Sequence, residues 1–187
     1  MRVTREEAAA SRERILDEAS HLIRERGVEG AGVAQIMKAA GLTHGGFYSH
    51  FASKEDLVAQ ACRRALAKSS EKWERIAAEA GPRALAAIAR SYLSPRHRDD
   101  PATGCAVATL ASEAWRQDTA VRRELTAGIE SQIAQLAHVA PGRANTVRRK
   151  KAIASYAAMV GAMVLARVVD DPGLSKEILE GTAAAVR

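Results

Sequence analysis

The chain has 187 residues, with 28 Lys and Arg against 22 Asp and Glu, a formal charge of +6. A composition that is 47% apolar and 27% charged excludes disorder of the whole chain, and two cysteines are too few for a disulfide scaffold or a four-cysteine zinc site. Aromatics are scarce at 4% and alanine is abundant, which favours helices over sheet.

Thr4-Arg5-Glu6-Glu7 reads as a capping box, and Ile15, Leu16, Ala19, Leu22 and Ile23 share one helical stripe that ends at Gly27. Residues 5–26 therefore form a first helix. Two short helices follow, Val33 to Ala40 and about Thr43 to Phe51, separated by Gly41-Leu42, the layout of a helix-turn-helix. Ser53 caps a long helix over 54–80, which stops at Gly81-Pro82. Leu85, Ile88, Ala89, Tyr92 and Leu93 make the next stripe, and Ser94 to Ala102 reads as a loop. Thr103 caps a helix through Trp115, and Asp118 or Thr119 caps another to His138. After Pro141-Gly142 comes a helix over 143–169, and after Asp170-Asp171-Pro172-Gly173 a last one over 174–186. The expectation is an all-α fold of nine helices.

Charge does not locate a function, because residues 1–55 carry as many acidic as basic side chains. Residues 1–10 carry no apolar run of the secretory type. Ala152 to Ala166 is uncharged but would span only about 22 Å as a helix, short of a ~30 Å hydrocarbon core, so a packing helix is expected and no membrane partner.

The informative window is GVEGAGVAQIMKAAGLTHGGFYSHFASKEDL, Gly27 to Leu57. Phe47 and Phe51 are four apart and turn one way, toward Ile36, Ala40 and Leu42. The other side carries Thr43, His44, Gly45, Tyr48 and Ser49, groups that donate to phosphate oxygens or meet base edges. Gly45-Gly46 leaves backbone amides open to a phosphate. Through Ile36, Ala39-Ala40-Gly41, Leu42-Thr43, Gly46-Phe47-Tyr48, His50-Phe51 and Ser53-Lys54-Glu55, the window resembles the DNA-binding domain of the TetR/AcrR family of transcriptional regulators. One position departs: where the family commonly has Thr or Ser before the first short helix, this chain has Gly32, which removes one side-chain contact to phosphate.

The resemblance implies a helix-turn-helix head over 1–53, a connecting helix over 54–80 and a ligand-binding and dimerisation body over 81–187. It makes Tyr48 and Lys54 phosphate contacts and Thr43 and His44 the residues nearest the bases. His50 is read equally as a phosphate contact or a structural hydrogen bond. A double-stranded operator of inverted-repeat form, a small-molecule effector and a second copy of the chain are the implied partners, in the cytoplasm, with no cofactor or metal. By residue type, Trp73, Tyr92, Cys105, Trp115, Tyr156, Met159 and Met163 are candidates for an apolar pocket. Ala157, Val160, Gly161 and Val164, with Ile178, Thr182 and Ala185, are candidates for the pairing surface. Small residues such as Ala154 and Ala162 permit close helix approach there.

Cys105 stands at the start of a helix, where the positive dipole end favours a thiolate, and some members of the family sense oxidants or electrophiles through a similar Gly-Cys segment. Cys62, inside the long helix, reads as packing. Two alternatives to a ligand-released repressor stay open: a constitutive, architectural DNA-binding dimer, and a thiol-based sensor. An enzyme is not expected, since no paired carboxylates or phosphate-cradling loop appear and the helix map places no histidine near Cys105.

Overall fold

The computed structural model describes residues 4–187; Met1–Val3, the first three residues of the expected head, lie outside them. Nine α-helices and three short 3₁₀ turns, with no strand, make up the described residues. The capping box forms: Thr4 Oγ1 accepts from the Glu7 amide at 3.2 Å, and Glu7 Oε2 accepts from the Thr4 amide at 2.8 Å. Helix α1 runs Arg5–Gly30 and kinks at Gly27, whose φ of 76° only glycine adopts easily. The expected stop at residue 26 is thus a kink followed by one more turn. The Val28 amide freed there donates to Glu113 Oε2 at 3.0 Å.

Helix α2 (Val33–Ala39) and a turn through Gly41, with φ 73°, lead into His44–Ser49. That segment is a 3₁₀ turn, not the expected α-helix. Two adjacent glycines weaken α-helical propensity by about 2 kcal/mol, which leaves the type of so short a helix to the packing of Phe47. Ser53 Oγ accepts from the Asp56 amide and starts α3, Lys54–Ala80, with the expected bounds.

Helix α4 spans Ala84–Tyr92. The segment expected to be a loop holds α5, Pro95–Asp99, capped by Ser94, and a 3₁₀ turn, Pro101–Thr103, capped by Asp100. Each proline occupies the first position, where its missing amide costs nothing. Thr103 consequently caps no helix: its amide and hydroxyl both donate to Asp100, and α6 (Ala106–Ala114) begins with Cys105 as N-cap. Helices α7 (Thr119–Val139), α8 (Asn145–Val168) and α9 (Pro172–Ala185) complete the chain.

Helix α3 is the axis of the molecule. It packs on α1 along one side and on α7 along the other, while α7 meets α8 and α8 meets α9. The α3–α7 approach is close enough that a Cβ at Gly128 would overlap the Leu66 side chain. The core is continuous from Ile15 and Phe47 in the head to Met159 and Leu179 in the body. Full burial of one such side chain contributes about 2 kcal/mol. Helix α8 is long and apolar enough to cross a membrane, with a window of mean hydropathy 1.4, and 39% of that window is buried inside this fold. Ala162 faces that interior and is not free to meet a partner. The opposite face of α8 stays uncovered: Ile153, Ala157, Val164, Leu165 and Val168 recur at helical spacing and are all exposed.

Candidate nucleic-acid interface and body cavity

In the head, Phe47 and Phe51 stack at 5.8 Å between ring centroids and fill the space beneath α2 with Ile36, Met37 and Ala40. The Arg12 guanidinium lies 4.9 Å over the Phe51 ring and closes that core from the α1 side. These anchors fix the 3₁₀ turn so that its other side faces solvent. Thr43, His44, Gly45 and Ser49 are exposed, and the Tyr48 ring stands out with 76% of its surface exposed, its edge braced 5.1 Å from Phe47. Gly46 and His50 are half-buried, and Ser49 Oγ donates to the Gly46 carbonyl at 2.6 Å. Lys54 occupies the first position of α3, beside the amides of its first turn. A cation, a phenol and a helix N-terminus are groups that suit a phosphate backbone. Gly32 caps α2 through its carbonyl alone, accepting from Gln35 and Ile36.

In the body, a cavity of about 390 Å³ opens between α1, α3 and the α4–α6 connection. Of the seven sequence candidates, Trp73, Tyr92 and Cys105 line it. Tyr156 stands behind them, edge-on to Trp73 at 6.1 Å, with its hydroxyl donating to Gln132 Oε1 at 2.6 Å. Met159 and Met163 are fully buried core filler away from the cavity. Trp115 does not line this cavity: α6 ends at Ala114, and the indole lies 66% exposed with Arg116 over it at 4.7 Å, bordering a separate hollow of about 200 Å³ with Val107, Leu125 and Ile129.

The residues that sequence reasoning missed are polar. Arg24, buried on α1, donates to the Ser20 carbonyl, to Ser20 Oγ and across the fold to the Gly104 carbonyl at 2.8 Å. Loss of water lowers its pKa, since no carboxylate pairs with it. His97 is the histidine absent from the helix map. Its Nε2 accepts from the Cys105 amide at 2.8 Å and its Nδ1 donates to the Tyr92 carbonyl at 2.6 Å. Burial, reinforced by Arg167, Lys72 and Arg24, pushes its pKa down to about 4 and keeps it neutral. With Nε2 occupied by an amide, this ring is a clasp on the Gly104-Cys105 corner and not a base for the thiol. A Cβ at Gly104 would lie 2.8 Å from that ring, so only glycine fits the corner. Cys62 is packing, its thiol pushed up to about 12 by burial.

Of the residues expected to pair, Ala157, Val164 and Ala185 are exposed, and Val160, Gly161, Ile178 and Thr182 are half-buried. Together they border the uncovered stripe of α8 and the adjoining face of α9.

Residues 15–61 match the family described as bacterial regulatory proteins, tetR family. Over 59 residues the chain is 42% identical to the HTH-type transcriptional regulator AcrR of Shigella flexneri; the match covers 32% of this chain and only 27% of that relative. The whole fold is similar to that of reduced E. coli NemR, with a TM-score of 0.80 at 22% identity and 95% of each chain covered. It is also similar to a TetR-family regulator from Agrobacterium tumefaciens, with a TM-score of 0.79 at 21% identity over 96% of this chain and 98% of that one. FadR from Bacillus subtilis, in complex with stearoyl-CoA, has a TM-score of 0.64 at 19% identity over 94% and 99%.

Proposed function

We propose that this chain, a member of the TetR/AcrR family of transcriptional regulators, is a cytoplasmic repressor that grips an inverted-repeat operator as a homodimer and is released by a small molecule. The head of residues 1–53 would meet DNA, α3 would transmit, and the body of 81–187 would pair and bind the effector. The observation that carries the DNA-binding part is the exposed group of Thr43, His44 and Tyr48 on a head held by the Phe47–Phe51 stack, with half-buried Lys54 at the start of α3. The uncovered stripe of α8 supports pairing, and the cavity touching both α1 and α3 supports release, because a ligand there contacts the head's first helix directly. Release requires that the ligand bind the DNA-competent arrangement more weakly than the other.

Tyr48→Ala and Lys54→Ala are each expected to weaken binding to any duplex about tenfold. Lys54→Ala should also reduce the magnitude of the salt slope of log K by about one, whereas Tyr48→Ala, which removes no charge, should leave the slope unchanged. Titrations at several salt concentrations would show this; unchanged affinity in both variants would overturn the docking face. His44→Ala is expected to relax preference at one base position, with a smaller effect on unrelated DNA.

A second reading is favoured by Cys105, which lines the cavity beside the Tyr92 and Tyr156 rings. An α,β-unsaturated carbonyl entering there would form a C–S bond at its β-carbon as the C=C π bond breaks, the thiol proton ending on the α-carbon. On this reading, N-ethylmaleimide labels Cys105 in the folded protein, leaves Cys62 untouched until unfolding, and lowers operator affinity. Mass spectrometry showing Cys105 inert would remove the reading.

A further inference from the structure

We infer that the cavity selects a small organic anion, an aromatic body bearing one carboxylate- or sulfonate-type headgroup. This inference rests on the effector reading above and gives that effector a charge. Among the described residues no Asp or Glu lines the cavity, whereas Arg24, Lys68, Lys72 and Arg96 all do. Only Lys68 has a carboxylate partner, Asp17 at 2.6 Å. Arg24, itself part of the lining, uses three of its five N–H groups, all on neutral acceptors. Lys72 forms no ion pair with any described residue; its pKa is lowered by desolvation and by its cationic neighbours Arg96 and Arg75. The carboxylate of Asp100 lies within electrostatic reach of Arg24 and Arg96, but it is engaged by Thr103 and is not part of the lining.

Unpaired cations gathered on one cavity repel one another and gain from any anion that enters. The floor adds two apolar rings at 6.1 Å, Trp73 and Tyr92, and the buried Tyr92 hydroxyl has no hydrogen-bond partner. A flat ring against these walls with its charge toward Lys72 and Arg96 would satisfy both halves of the site. The coupling follows from the same residues: an anion competes with Asp17 for Lys68, and Asp17 with Arg64 and Lys68 joins α1 to α3.

The probes are 2-naphthoate, its neutral amide and 2-naphthylmethylammonium, titrated calorimetrically into the full-length protein, with operator affinity measured in parallel. The expected order is naphthoate over amide by at least about tenfold, with the ammonium not binding. The double variant K72Q/R96Q should lose that preference while binding the amide as the wild type does. Equal binding of acid and amide, no binding of either at millimolar concentration, or full naphthoate affinity in the double variant would overturn the inference. If naphthoate binds with this charge dependence but leaves operator affinity unchanged, the anion site stands and the release reading falls. If the amide alone binds and releases DNA, the release reading stands and the anion inference falls.

Discussion

Gly161→Arg is expected to yield a folded monomer that no longer holds its operator at concentrations saturating the wild type. Nothing lies within 4 Å of a Cβ built at Gly161, so a single chain accommodates the side chain. Replacing glycine inside a helix even favours α8 by about 0.8 kcal/mol. Against a second copy the same arginine would be desolvated between apolar stripes, where Ile153, Val164, Leu165 and Val168 offer it no carboxylate. An unpaired buried charge costs several kcal/mol, so dimer dissociation should rise by about three orders of magnitude. Losing the second head then removes the advantage of bivalent DNA contact. Sedimentation equilibrium and thermal melting read the two halves of this result. A variant that stays dimeric would exclude the α8 face as the pairing surface, and one that melts far below the wild type would place that face inside the fold.

His97 should make the protein lose stability as pH falls from about 6.5 to about 4. The unfolded chain binds a proton at this histidine below its ordinary 6.5, whereas the folded chain does so only below about 4. Between those values the unfolded state holds more protons, so stability rises with pH through the window and is lost as pH falls through it. The gap corresponds to about 3 kcal/mol, fully present at neutral pH. The physical cause is local: protonated Nε2 can no longer accept from the Cys105 amide, and the new charge faces Arg167, Lys72 and Arg24. His97→Gln retains an acceptor without a titrating ring. Urea titrations at several pH values should show its stability nearly flat from about pH 6.5 to about 4.5 while the wild type declines. Parallel curves for the two proteins would show that the clasp does not titrate as described.

Local chemistry is legible in the sequence, and contacts closed by the fold are not. The Thr4–Glu7 capping box, the Phe47–Phe51 face and the span of α3 follow from spacings of three, four and a breaker-free run, each visible without tertiary context. At His44–Ser49 the spacing suggests an α-helix, but Gly45-Gly46 leaves helix type to packing, and packing selects the 3₁₀ turn. The segment 94–103 has the mixed composition of a loop, although Ser94-Pro95 and Asp100-Pro101 are both helix-start signals. Those two capped turns bring His97 back onto Cys105, a return that a loop reading conceals. Arg24 and Gly104 are eighty positions apart and nothing short of the folded chain pairs them. Aromatic and sulfur content points to Trp73, Tyr92 and Cys105, which the fold brings onto one cavity, but gives no sign of the cations that line it beside them.

Enrichment of bound duplexes from a random DNA pool, followed by the stoichiometry of the selected complex, bears most directly on a twofold pair of heads reading one site. The expected result is an inverted repeat with half-site centres about one helical turn, or a multiple of it, apart, occupied by two chains or a multiple of two. Recovery of a single unrepeated element bound by one chain, or no enrichment at low salt, would contradict it.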